Sequence, residues 1–456
     1  MNNYLHYFRK YLKYLNYVLV IILIFSSTAS LAVGKRYDYE SYTLNNGLQV
    51  ILIPNNRAPV VYHAIWYKVG SADSPNDKTG LAHFLEHMMF NGSKKFPNDS
   101  YKRKITDLGG EQNANTTWDR TGYFVTIAKE HLPVIMEMEA DRMQNLQILP
   151  KDIEKEREVV LQERRSTSDA QPMELLAEAA NASFFWQHPY GKPVIGFEEH
   201  IRKYTDEDVN AFYQKWYTPN NAILVIAGDI QNQSLKPLIE QYYGTIPKRS
   251  NPKRERPVEP NHRGTNAKVE IRSPQLGPFF QKIYRAPNHR TANLRLEATL
   301  MLLQDILGDP TFGRLSQALV ENNEVAHSVS AGYTGSFYDP YSFTISGAPI
   351  NACDLAWLES NVDAEIRRLI SEGVTEKELC KAKEQWQYDS LYRQGSLQGI
   401  ADFYGEHLCL GYTEKDLNEW LDVIASITQD EIKIAAKDIL GKGPEVTLYT
   451  HTVVQK

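Results

Sequence analysis

Cysteine is scarce in this sequence. Only Cys353, Cys380 and Cys409 occur in 456 residues, all in the second half. That count is too low, and odd, for a scaffold held by disulfides. None of the three has the Cys-x-x-Cys spacing of a thiolate metal site. A hydrophobic core must therefore hold the fold, with the cysteines as free thiols or with one pair joined. Low-complexity and collagen-like stretches are absent as well. After residue 32 no apolar run is long enough to cross a bilayer. An excess of positive charge is also lacking: 50 basic residues face 56 acidic ones, a net charge of -6. That balance speaks against nucleic acid as a partner.

The one long apolar run stands at the start. Arg9, Lys10 and Lys13 precede "YVLVIILIF" (17–25), and small residues follow in "SSTASLA", with Ser30 and Ala32 at a small-x-small site. Residues 1–32 thus have the layout of a secretory signal peptide, and the run is short for a membrane span. The expectation is an exported protein, in the periplasm or cell envelope if bacterial; an uncleaved N-terminal anchor is the lesser alternative. Cleavage removes three basic residues and no acidic ones, which moves the net charge from -6 to -9.

The rest alternates between strand and helix signals. "YTLNNGLQVILIPN" flanks Asn46-Gly47 with alternating apolar residues, a hairpin pattern. Strands are expected over Val60–Ala72 and twice within Asn113–Ile127. Helices are expected over Gly80–Phe90, over Glu130–Leu146 and from Leu149 to Arg165, the last with Pro150 in its first turn. Two distant segments match. Thr205 with Asp208, and Thr428 with Glu431, 223 residues on, each form a Thr-x-x-acid helix start. Each of those helices runs through a turn into a strand. We read a duplication, with halves at 33–246 and 265–456. Strands and helices come in blocks, so the expected class is α+β, with mostly antiparallel sheets and helices packed on one face. Between the halves, 247–264 ("PKRSNPKRERPVEPNHRG") is rich in Pro, Arg and Lys, and reads as a solvated linker.

The chemistry concentrates in "GLAHFLEHMMFNG" (80–92). On a helix His83 and His87 project from one face, one turn apart, with Glu86 beside them. Two imidazoles so spaced chelate a zinc ion, while an adjacent carboxylate reaches a water at the same place. Buried, satisfied histidines are the plainer alternative, although His, Glu and His left unpaired inside an apolar helix would cost several kcal/mol. A catalytic zinc needs a third protein ligand. Glu156 and Glu163 in "EREVVLQE" share a helix face and offer one; a solvated charged helix fits that spacing equally well.

HFLEH followed after 75 residues by Glu163, with Glu156 seven earlier, resembles the pitrilysin, insulinase and mitochondrial processing peptidase family of zinc metallopeptidases. "HPYGKPVIGFEEHI" (188–201), "YTPNNAILVIAGDI" (217–230) and the two-half layout extend the likeness over nearly the whole chain. The resemblance implies His83, His87 and Glu163 as ligands of one Zn2+. It implies Glu86 as the general base, Glu156 as an acid orienting a ligand, and Asn113 and Ala114 as part of a substrate-binding edge strand. It also implies an Arg and a Tyr seven apart from the second half, but Val320 and His327 stand at those places. Single-length members act as dimers. The expected function is an exported zinc-dependent endopeptidase of peptides or unfolded segments, as a homodimer or paired with a metal-free paralogue that carries the Arg/Tyr pair. The alternative is a non-catalytic scaffold subunit that keeps zinc.

Overall fold

The computed structural model describes residues 38–260, 266–322, 325–351 and 355–452. The expected signal segment (1–32), the last residues of the linker and Cys353 lie outside them. Among the described residues no helix is long and apolar enough to cross a membrane.

The first strands form as the alternation predicts. Strands β1 (Glu40–Thr43) and β2 (Gln49–Pro54) pair antiparallel. Gly47 closes their turn at φ 91°, a backbone conformation that favours glycine. Strand β3 (Val60–Tyr67) stops five residues before the expected Ala72, because Ser71–Asp73 form a short 3-10 turn instead. Strands β4 (Glu111–Thr116) and β5 (Thr121–Ala128) make a hairpin, and β6 (Ala222–Gly228) completes a six-stranded sheet in the order β1-β2-β6-β3-β5-β4.

Among its described residues the second half has five strands: β7 (Ala267–Ser273), β8 (Phe279–Ala286), β9 (Ala326–Tyr333), β10 (Tyr341–Pro349) and β11 (Val446–Thr452). Their order is β7-β11-β8-β10-β9. Strand for strand this repeats β2-β6-β3-β5-β4, including one parallel pair in each sheet, β2 with β6 and β7 with β11. All other pairs are antiparallel. The fold is α+β, and the duplication seen in the two helix starts extends to five strands of each sheet, β1 being additional. Both starts are capping boxes, Thr205 with Asp208 and Thr428 with Glu431.

Helices 81–88, 132–145 and 206–216 bury their apolar sides against one face of the first sheet, on Val61, Ile65 and Tyr67 of β3. The alternate residues of β3 point the other way, and there the second half supplies the cover. Helix Leu397–Cys409 lies on β3 and β6. Tyr62 donates to Asp402 (2.8 Å), and Arg120 pairs with Glu406 (3.0 Å). Helix Pro172–Phe184 of the first half covers β7 and β11 in return, with Leu176, Ala180 and Phe184 against Val446 and Leu448. Thus β3 is buried on both faces, and "VVYHAIWY" shows no alternation of polarity. Helices on one face only, as the sequence suggests, describes each half without its neighbour.

The linker differs most from expectation. Residues 247–260 contain no helix or strand, but their arginines are not solvated. The side chains of Arg254 and Arg256 are only 6% and 5% exposed. Arg249 donates to the carbonyls of Met143 and Tyr217. The cause is charge complementarity. Buried Asp73 and Asp119 from the first half and Asp339 from the second converge on the linker and pair with it.

Candidate metal centre and comparison with known proteins

Gly80 starts the HFLEH helix in the left-handed region, at φ 86°. A β-carbon there would overlap the backbone of Ile195 and Gly196, so the helix begins tight against that loop. Leu81, Ala82, Phe84, Leu85 and Met88 are buried in the first core and fix the helix. The opposite face then carries His83 and His87, whose rings lie 4.8 Å apart between centroids.

Helix Pro150–Arg164 packs against the HFLEH helix and presents two carboxylates. Glu163 Oε1 is 3.6 Å from His83 Nε2, and Glu163 Oε2 is 3.1 Å from His87 Nε2. One donor atom from each of the three residues lies within 4.8 Å of the other two. One turn pair back, Glu156 Oε1 sits 2.9 Å from His87 Nδ1, and its Oε2 accepts from Asn91 (3.4 Å). With Nδ1 engaged by Glu156, Nε2 is the His87 atom left facing Glu163.

This arrangement fits a cation. Glu163 Oε2 is buried and makes no aligned hydrogen bond despite its closeness to His87. Two nitrogens and one carboxylate oxygen are the donor set that zinc takes in hydrolytic sites. Donors bound tetrahedrally at about 2.0–2.1 Å sit about 3.3 Å apart, between the 3.1 Å and 3.6 Å that separate the two Glu163 oxygens from His87 Nε2 and His83 Nε2. The charges agree. Burial works against the His87 imidazolium, but Glu156 and then Glu163 outweigh it and raise its pKa to about 9. His83 is pushed down to about 4 by burial and then by the charge on His87. Glu163 is held below the usual carboxylate range by the nearness of His87.

Glu86 is buried beside the triad, and Thr116 at the end of β4 donates to its Oε2 (2.5 Å). Burial raises its pKa, and the Thr116 bond opposes that rise. A cleft of about 320 Å³ opens at His83 and Glu163, walled by Thr116, Trp118, Asn181 and Lys192. Asn113 and Ala114 lie on β4, the outermost strand of the first sheet, with Asn113 exposed. Val320 packs against the second core, and His327 is exposed on β9 at the outer edge of the second sheet. Neither lines the cleft. Arg314 is bound to Glu378 and the Gly373 carbonyl, and Tyr333 to the Pro287 carbonyl, so both are engaged within the second half.

Sequence reasoning did not single out Thr116, Asn91 or Trp118. Asn91 had a local signal, four residues after His87 on the same face. Thr116 and Trp118 had none, since their places depend on how β4 docks on the helix.

Two family models match the chain, together over more than half its length. "Insulinase (Peptidase family M16)" covers residues 49–198, and "Peptidase M16 inactive domain" covers 203–386. The chain belongs to the insulinase family. The first model holds the HFLEH helix and Glu163. The second begins at residue 203, still within the first half, and runs through the linker into the half without that motif. A relative in this family, the zinc protease PqqE of Helicobacter pylori, is 28% identical over 374 residues, 81% of this chain and 83% of its own. A solved protease from Helicobacter pylori superposes with a TM-score of 0.82 at 23% identity, over 91% of this chain and 99% of that one. The periplasmic protease PqqL of Escherichia coli gives 0.75 at 19% identity, over 91% of this chain and 47% of that one. At these identities the two structures show a shared fold.

Proposed function

We propose that this insulinase-family chain is an exported zinc-dependent endopeptidase. The observation that carries the reading is the convergence of His83, His87 and Glu163 around one point, with Glu86 beside them. In this reading the two histidines, through Nε2, and a Glu163 carboxylate oxygen hold one Zn2+. Zinc, when bound, supplies the Lewis acidity that polarises a peptide carbonyl and acidifies water. The remaining work belongs to the chain. Glu86 takes a proton from the attacking water and returns one to the leaving nitrogen. Thr116 occupies Glu86 Oε2 and leaves Oε1 for that water. Glu156 keeps the His87 ring in one tautomer. The free edge of β4, at Asn113 and Ala114, takes the peptide as an added strand. Replacing Glu163 by Gln should lower bound zinc and hydrolysis together; full zinc retention in that variant would overturn the ligand set.

The zinc name of the relative supports the metal. The basic start, apolar run and small-residue site of residues 1–32 support export, as does the likeness to a periplasmic protease. N-terminal sequencing of the exported protein should begin near residue 33. The engagement of Arg314 and Tyr333 within the second half, with Val320 and His327 where the family places an Arg and a Tyr, supports a dimer. The chain would be its zinc subunit, paired with a metal-free paralogue. Mixing the two should raise peptide hydrolysis sharply, and full activity from this chain alone would contradict the pairing. The same substitutions favour a second reading, a zinc-retaining scaffold subunit without catalysis.

A further inference from the structure

The turn of the β4–β5 hairpin, residues 117–120, is gripped from every side. Ser71 and Ala72 donate backbone N–H groups to the Thr117 and Trp118 carbonyls (2.9 Å each). Gly70 lies so close beneath that a β-carbon there would overlap the turn's backbone. The Trp118 indole donates to the Lys192 carbonyl (2.8 Å). Asp119, 1% exposed, is the hub. It accepts from Tyr190 (2.7 Å) and from the Tyr338 backbone N–H of the second half (2.9 Å). It also pairs with linker Arg256 (2.6 Å), while Arg254 donates to its carbonyl.

Arg256 spends its fork on three acids. One arm reaches Asp119 (2.6 Å) and Asp339 (2.9 Å); the other reaches Asp73 (2.9 Å). Those acids come from the hairpin turn, the second half and the 3-10 turn after β3. On the adjoining residues of the hairpin, Thr116 donates to Glu86 and Trp118 walls the cleft. The planar guanidinium suits this, since its five donors lie in a fixed geometry that a lysine cannot copy.

We infer that Arg256 is a positioning residue for hydrolysis: by holding Asp119 it sets the β4–β5 turn, and through it the Thr116 hydroxyl on Glu86. The half without metal ligands thereby controls the half that has them, through the linker and Asp339. The inference rests on the peptidase reading of the site.

The test uses the full-length protein with Arg256→Lys, Arg256→Gln, Asp119→Asn and Thr116→Val, and the Arg256→Lys/Thr116→Val double variant. Zinc content, kcat and KM on a peptide with any partner chain present, and hydrogen exchange are measured for each. Loss of the one cation shared by Asp73, Asp119 and Asp339 threatens the folding of Arg256→Gln, and the Lys and Asn variants keep the test open. Arg256→Lys should bind zinc as the wild type does, lose on the order of 10- to 100-fold in kcat, and change KM less. The double variant should be little worse than the worse single one, because both act through one contact. Amides of 111–120 should exchange faster, with 81–88 and 150–164 unchanged. Unchanged kcat per bound zinc, additive losses or unchanged hairpin exchange would overturn the inference. Wild type and Glu86→Gln serve as controls. If they hydrolyse peptide equally, or not at all, the peptidase reading fails, and hairpin exchange alone decides whether Arg256 holds the turn.

Discussion

Glu156 stands one hydrogen bond behind His87 and touches no other residue of the triad. Its loss should therefore loosen the metal without removing a donor. Glu156→Gln is expected to lower zinc affinity about 10- to 100-fold, read by competition with a chelating dye; unchanged affinity would deny Glu156 its role. His87 brings a pH dependence. With its pKa raised to about 9 in the metal-free protein, its stabilising charge is fully present below about 6.5 and is lost as pH rises through about 9. Zinc needs the neutral ring, so protons compete with it on the acid side of that window. The gap in Tm between zinc-loaded and chelator-treated protein should widen from pH 6.5 to 9, and a gap constant over that range would contradict the coupling. At this scale His83, Glu86 and His87 are legible in the sequence because one helix turn spaces them. Glu156 and Glu163 are legible as a face, but only resemblance gives them roles. Thr116 and Arg256 are not legible, since their partners lie 30 residues away for one and more than 80 for the other along the chain.

Element by element, local chemistry predicts starts well and ends less well. The capping boxes at Thr205 and Thr428 fall where their side chains satisfy free helix N–H groups. The end of β3 was overrun because Ser71–Asp73 turn under Gly70, a feature set by the neighbouring hairpin. Helix 397–409 gives no sign in its sequence that it covers the other half's sheet. Its seat is specific, because Gly405 lies against the buried indole of Trp66, and a β-carbon there would overlap the ring. Gly405→Leu should destabilise the protein by roughly 1–3 kcal/mol or more in denaturant melts, as overpacking does. A neutral result would mean that the helix does not dock as described.

Across the whole molecule, the duplication was legible from two helix starts, because capping patterns are local, and it proves to order both sheets. The exchange of covering helices and the buried linker were not, because charge-rich segments read as solvated until their partners are known. Asp73, Asp119 and Asp339 come from three separated stretches, and only the fold brings them to Arg256. The result is a chain whose candidate metal site lies in one half while the linker and Asp339 of the other pair with the hairpin turn beside it. The central claim is that this site hydrolyses peptides by a base at Glu86. It is tested most directly by measuring bound zinc and peptide cleavage side by side in Glu86→Gln, with any partner chain present. The account predicts zinc near one per chain and cleavage reduced by at least about a hundredfold. Cleavage at the wild-type rate in that variant would contradict it.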